Sequence, residues 1–187
     1  FRAFFEMASV GVAQVNVHSG RYLRINKKYC EIVGYALEEL QEMAFSDITH
    51  PDDLALDRSH IAKLLAGELR EFTIEKRYIR KDGQSVWVYL TVSPLWPVGQ
   101  LPDTTLAVIR DITPRKLAEE SLVFATRVFA NSIEGIVVTD AEGTILQVNP
   151  AFSAITGYSA EEALGQNPRL LKSNKHAPEF YAGMWRD

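Results

Sequence analysis

Cysteine is nearly absent. Cys30 stands alone in 187 residues, which excludes an internal disulfide and fits a reducing compartment. Long apolar runs are missing as well. No stretch approaches the roughly 20 residues that cross a membrane, and no signal peptide opens the chain, so no membrane contact is expected of this segment. Neither sign of charge is in excess. With 20 basic and 24 acidic residues the net charge is −4, a balance that does not favour nucleic acid. The known catalytic signatures are also lacking: no nucleophile elbow, no phosphate-binding glycine loop, no zinc spacing and no kinase motif. The segment is therefore not expected to be an enzyme. Its first residue is Phe1, and FRAFFEMA already reads as helix, so a longer parent chain is expected.

What is present is apolar material: 47% of residues are hydrophobic, enough for one large domain or two small ones. Val12 to Val17 is a short β-prone run ended by His18-Ser19-Gly20, and Tyr22 to Ile25 follows as the return of a hairpin. Lys27 to Val33 has helical spacing and stops at Gly34, a suitable left-handed cap. A short helix runs from Ala36 through Leu40. His50-Pro51-Asp52-Asp53 opens another, with acids placed for capping and the helix dipole. Its stripe is Leu54, Leu56 or Asp57, Ile61, Leu64 and Leu65.

A longer hairpin follows. Phe72, Ile74, Lys76, Tyr78 and Arg80 alternate with Glu71, Thr73, Glu75, Arg77 and Ile79, the turn is Lys81-Asp82-Gly83, and Val86 to Val92 returns. A loop over Ser93–Asp103 leads to a last strand, Thr105 to Arg110. The order predicts an α+β domain, with a five-stranded antiparallel sheet and helices on one face.

Asp111 to Ser132 reads as a helix of about five turns. Thr113 offers a hydroxyl cap and Pro114 suits the first helical position. Leu117, Ser121, Phe124 and Val128 recur at four-three-four spacing, with Ala118, Leu122, Ala125 and Phe129 one step behind. Such a stripe packs a helix on its own domain or pairs it with its twin in a dimer, and too few heptads are present to choose.

Beyond that helix the order restarts. Gly11-Val12 corresponds to Gly135-Ile136, Asn26 to Asn149, Tyr29 to Phe152, Gly34-Tyr35 to Gly157-Tyr158 and Glu38-Glu39 to Glu161-Glu162. The chain holds a duplicated domain: a complete copy over 1–113, a connecting helix over 114–132 and the N-terminal half of a second copy over 133–187. Two strands are marginal without more sheet. The second copy is therefore expected to be loosely ordered, or completed by residues from outside this segment.

In this order the motifs resemble the PAS family of sensory domains. They are Asn26, Gly34-Tyr35-x-x-Glu38-Glu39, His50-Pro51-Asp52-Asp53, Arg80-Lys81-Asp82-Gly83 and Asp111-Ile112-Thr113 in the first copy. In the second they are Asp140-x-x-Gly143, Asn149-Pro150-Ala151-Phe152 and Gly157-Tyr158-x-x-Glu161-Glu162. The resemblance implies a small ligand or cofactor held between helices and sheet, in a pocket on the order of 300–1,000 Å³. Tyr29, Tyr78, Trp87 and Tyr89 are the candidates near it. Alternation does not say which strand face meets the helices, so plain core or dimer-face roles stay open for them.

Photosensors of the family carry a cysteine in Gly-x-Asn-Cys-Arg-x-Leu. Gly165-Gln166-Asn167-Pro168-Arg169-Leu170-Leu171 has proline there, which rules out cysteinyl–flavin chemistry. Non-covalent flavin remains an alternative through Asn167 and Arg169, which otherwise organise a helix start. Haem is disfavoured, because Leu56 stands at the family's histidine position and His60 lies one turn away. No metal site is expected. Asp111 and Thr113 resemble the junction that hands signal from the last strand to the output helix. Glu38 or Glu39 is a plausible surface partner for Lys81. The tail through Ser173, Phe180-Tyr181 and Met184-Trp185 resembles PAS modules that precede GGDEF and EAL domains.

The resemblance therefore implies a bacterial, cytoplasmic sensory module, homodimeric through the connecting helix and joined to a C-terminal output domain. Cyclic-di-GMP turnover by a diguanylate cyclase or phosphodiesterase is the leading output. A flavin-binding redox sensor and the input region of a histidine kinase are the alternatives.

Overall fold

A computed structural model describes residues 2–96 and 103–172. The chain divides into two compact units, 1–118 and 119–187.

Unit 1 begins with α1 (Arg2–Met7), β1 (Gly11–Asn16) and β2 (Tyr22–Ile25). Three short helices follow: α2 (Lys27–Val33), α3 (Leu37–Gln41) and α4 (Phe45–Ile48). A 3-10 turn (Pro51–Asp53) leads into α5 (Leu54–Leu65), and then come β3 (Phe72–Ile79), β4 (Ser85–Pro94) and β5 (Thr104–Asp111). The five strands form one antiparallel sheet in the order β2-β1-β5-β4-β3, which is the PAS fold. Period-2 alternation sends Ala13, Val15, Phe72, Ile74, Tyr78, Val86, Val88, Leu90, Val92, Ala107 and Ile109 to one face, where Tyr29, Val33, Leu40, Ile48 and Leu64 cover them.

Two local devices set the helix positions. Asn26 caps α2: its Oδ1 accepts from Tyr29 N–H at 2.9 Å and Val12 N–H at 2.8 Å, while its Nδ2 donates to the carbonyls of Phe5 and Val10. One side chain thus satisfies helix, strand and preceding loop together. Gly11 lets α2 lie against β1, since a Cβ there would stand 3.0 Å from Tyr29 Cα and 2.6 Å from Ile109 Cγ1.

The acids before α5 act differently from the expected caps. Asp53 makes no capping bond. Its carboxylate accepts from the Arg77 backbone N–H at 2.8 Å, from Nε at 3.0 Å and from Nη2 at 2.8 Å, which ties the start of α5 to β3. That bidentate grip holds the Asp53 carboxyl below the usual range. Lys81 pairs with Glu39 at 2.6 Å, on the surface.

The connecting helix, α6, spans Thr113–Asn131. In unit 2, β6 (Val137–Thr139) pairs antiparallel with β7 (Ile145–Val148), followed by α7 (Pro150–Thr156), α8 (Ala160–Ala163) and a 3-10 turn over Pro168–Leu171. Its small core is Ile145, Phe152 and Ala163, with Val137, Val148 and Leu170 against them. Asn149 repeats the role of Asn26: its Oδ1 accepts from Ile136 and Phe152 N–H, and its Nδ2 donates to the carbonyls of Phe129 and Glu134. The stretch of the tail from Ser173, with Phe180-Tyr181 and Met184-Trp185, lies outside the described residues. So does most of the loop before β5.

Candidate functional site

Between the helices and the sheet of unit 1 lies a cavity of about 30 Å³, room for roughly one water molecule. Its wall is mostly apolar and includes Val15, Phe45, Ile61, Leu90, Val92 and Ala107. Two polar groupings break that wall.

The first is a row of tyrosines. Tyr22 on β2, Tyr29 on α2 and Tyr78 on β3 are all buried. The Tyr22 and Tyr29 hydroxyls lie 2.9 Å apart, and Tyr29 donates to Tyr78 at 3.2 Å. The rings of Tyr22 and Tyr29 meet edge to face at 5.5 Å. Burial pushes the Tyr29 phenol up to about 12, with its hydrogen bonds to Tyr22 and Tyr78 working the other way. Burial raises Tyr22 and Tyr78 well above the ordinary phenol value, and their phenolic neighbours add to it.

The second is an ion pair in the core. Lys76, on the inner face of β3, donates through Nζ to Asp57 of α5 and, at 3.1 Å, to the hydroxyl of Thr49. Thr49 in turn donates to the Phe45 carbonyl at 2.7 Å. The Lys76 and Asp57 side chains are 1% and 2% exposed. The ammonium also lies 4.4 Å from the centroid of the Tyr78 ring and 5.5 Å from that of Phe45. Burial pushes the Lys76 ammonium down, and Asp57 opposes that shift. A buried pair of this kind adds little net stability over an apolar pair of similar volume, so its presence in a cavity wall points to use rather than to folding.

The pair settles the register of α5. Asp57, not Leu56, faces the sheet, and Leu56 is 50% exposed. His60 sits outside the cavity wall, with Nδ1 2.9 Å from the Leu56 carbonyl and its ring 5.1 Å from Phe72. Cys30 is half-buried against the core, which pushes its thiol up.

The aromatic candidates separate. Tyr29 and Tyr78 line the cavity. Trp87 and Tyr89 do not, because Val86, Val88, Leu90 and Val92 hold the inner positions of β4 and alternation puts the two aromatics on the other face. Trp87 there lies under Arg77 and Lys116, each about 5 Å from its ring centroid (5.3 and 5.2 Å), and Tyr89 is 43% exposed. Asn167 and Arg169 belong to unit 2. Asn167 accepts from Arg169 N–H at 3.1 Å and donates to the Gly143 carbonyl at 3.0 Å, and Arg169 is exposed.

At the start of α6 Asp111 meets the first turn, and the Thr113 hydroxyl, expected to cap the helix, is used by β4 instead. Asp111 Oδ1 accepts from Thr113 N–H at 2.8 Å, while the Thr113 hydroxyl accepts from Trp87 N–H at 2.9 Å, reaching back to β4. Glu75, on the outer face of β3, accepts from Arg115 and, at 2.7 Å, pairs with Lys116. Those two bonds hold its carboxyl below the usual range. Glu75 and Lys76 are consecutive, so one strand position faces the helix and the next faces the cavity.

Sequence reasoning passed over Tyr22, Asp57, Lys76 and Glu75 as site residues. The available signal was a charged residue, Lys76, in register with Phe72, Ile74 and Tyr78, together with the ambiguity between Leu56 and Asp57.

Two family models, both described as PAS fold, match residues 22–101 and 125–187. The probable diguanylate cyclase DgcE of Escherichia coli (strain K12) is 36% identical over 120 residues, 64% of this chain and 11% of that protein. The sensor histidine kinase TmoS of Ectopseudomonas mendocina is 28% identical over 65% of this chain and 12% of that protein. The chain thus spans about a tenth of the length of these relatives. Among solved structures, a PAS domain from Colwellia psychrerythraea superposes with a TM-score of 0.55 at 20% identity, over 60% of this chain and 94% of that one.

Proposed function

The chain belongs to the PAS family in both of its units and is a sensory module of signalling proteins; we propose that unit 1 detects a small molecule in the Tyr22–Tyr29–Tyr78 and Lys76–Asp57 cavity and reports it through α6. The observation that carries this reading is the buried Lys76–Asp57 pair in an otherwise apolar cavity wall. The fitting ligand is small and mostly apolar, with one hydrogen-bonding group for the ammonium, carboxylate or phenols. At about 30 Å³ the cavity must widen to admit it, so binding is coupled to movement of the helices against the sheet. Such movement reaches α6 through Lys76 to Glu75 on β3, and through Trp87 to Thr113. A coupling of about 1–3 kcal/mol is enough for signalling.

The α6 stripe supports homodimerisation. Leu117, Leu122, Phe124 and Val128 are 51–70% exposed, a face suited to pairing with its twin. The similarity to the probable diguanylate cyclase DgcE supports a diguanylate cyclase as the output of the parent protein, with a histidine kinase second.

A thermal-shift screen of small compounds against the whole chain tests the sensing role. A true ligand at a hundredfold excess over its Kd stabilises by about 2.7 kcal/mol, and the Lys76→Met/Asp57→Leu double variant, folded by circular dichroism, no longer responds to it. An equal response in the double variant would remove the cavity as the sensing site.

A further inference from the structure

A second recess of about 250 Å³ lies on unit 1, away from the cavity wall, lined by Ser9, Lys28, Glu31, Arg80, Arg110 and Asp111 among others. It gathers residues far apart in sequence: Lys28 from α2, Arg80 from the β3–β4 turn, and Arg110 and Asp111 from the end of β5. Three cations face two carboxylates, and both carboxylates are engaged. Glu31 pairs with Lys28 at 3.2 Å and Lys27 at 3.9 Å, and Asp111 Oδ1 holds Thr113 N–H. Neither Arg80 nor Arg110 has an ion-pair partner among the described residues. Arg80 Nε is moreover a buried donor without a hydrogen-bond partner. Its guanidinium lies by Gly34 at the C-terminal end of α2, where the dipole favours a cation. That explains its place but provides no acceptor. A buried charged donor left unmade is costly; Nε itself is closed off against Gly34, so the recess offers an oxyanion the other nitrogens of the Arg80 guanidinium.

We infer that this recess binds the phosphate group of a small molecule, held by Arg80 and Arg110 with Lys28 and the Ser9 hydroxyl at its margin. Two guanidiniums suit the bidentate geometry of phosphate oxygens. The volume admits a phosphate with a modest organic portion, and three cations diluted by two acids fall short of a nucleic-acid track. Arg110 directly precedes Asp111, so occupancy bears on the start of α6 independently of the cavity. The site does not rest on the cavity reading, and either can fail alone.

The test is titration calorimetry of the whole chain with inorganic phosphate and with pyrophosphate, against sodium chloride of equal ionic strength. Saturable binding beyond the chloride control is expected, weakened about tenfold or more by Arg80→Gln and by Arg110→Gln, and unchanged by Arg58→Gln on α5. Circular dichroism checks that each variant is folded. Slower hydrogen exchange over Thr113–Lys116 on adding pyrophosphate is the accompanying sign. Absence of saturable binding, or binding that survives either Arg80→Gln or Arg110→Gln, overturns the assignment.

Discussion

The side-chain amide of Asn149 donates to the Phe129 carbonyl at 3.1 Å, fastening the last turn of α6 to the strand and helix that follow it. Asn26 makes the matching bond to the Phe5 carbonyl at 2.9 Å. Each asparagine also accepts from a strand N–H and a helix N–H. Asn26→Ala strands several largely buried partners at once and is expected to cost about 3 kcal/mol in urea unfolding. Asn149→Ala is expected to remove hydrogen-exchange protection at the Ile136 and Phe152 amides. Retained protection would mean that the staple is dispensable.

The Lys76–Asp57 pair should behave asymmetrically. Lys76→Met or Asp57→Leu alone leaves one buried charge and is expected to cost about 3–5 kcal/mol, whereas the double variant is neutral or more stable. A double-mutant cycle in urea measures this. A double variant as unstable as the singles would assign the pair to folding.

The tyrosine row predicts an alkaline limit. Unfolded phenols ionise near pH 10, whereas Tyr29 holds its proton to about 12 and Tyr22 and Tyr78 are also raised. Above pH 10 the folded state therefore binds more protons than the unfolded one, and stability falls with rising pH. The contribution is complete below about 10 and is lost towards 12, on the order of 2.5 kcal/mol for Tyr29 alone. Tyrosinate absorbance should rise together with unfolding, and three freely titrating phenols in a folded protein would contradict the row.

At the start of α6, Glu75→Gln and Thr113→Val should each speed hydrogen exchange over Thr113–Lys116 while leaving the sheet protected, apart from the Trp87 amide in Thr113→Val. The effect of Glu75→Gln should shrink in high salt, because its partners Arg115 and Lys116 are screened there. The effect of Thr113→Val should not, since it removes a neutral acceptor from Trp87 N–H.

Gly11→Ala tests the close approach of α2 to β1. Its Cβ would meet the Tyr29 backbone and Ile109, and a loss of about 1–3 kcal/mol in thermal or urea melts is expected. An unchanged midpoint would mean that the helix backs away without cost.

Much of unit 1 was legible because its signals are local. Gly34 ends α2 in the left-handed conformation (φ 77°), Asn26 opens it, and the Lys81-Asp82-Gly83 turn with its alternating flanks announces β3 and β4. The acids before α5 misled, because Asp53 is used by Arg77 across the fold rather than by its own helix. Thr113 misled for the same reason, its hydroxyl serving β4 while Asp111 caps α6.

By itself, then, the sequence determined the order of elements, the turns, the duplication and the family, all of which rest on spacing within a few residues. The tertiary structure decided which face of β4 is inside, that Asp57 rather than Leu56 meets Lys76, and that Arg80 and Arg110 share one recess. Those outcomes depend on strand register and on helices brought onto the sheet from elsewhere in the chain. A two-residue period states that faces alternate, and only packing assigns one of them to the core.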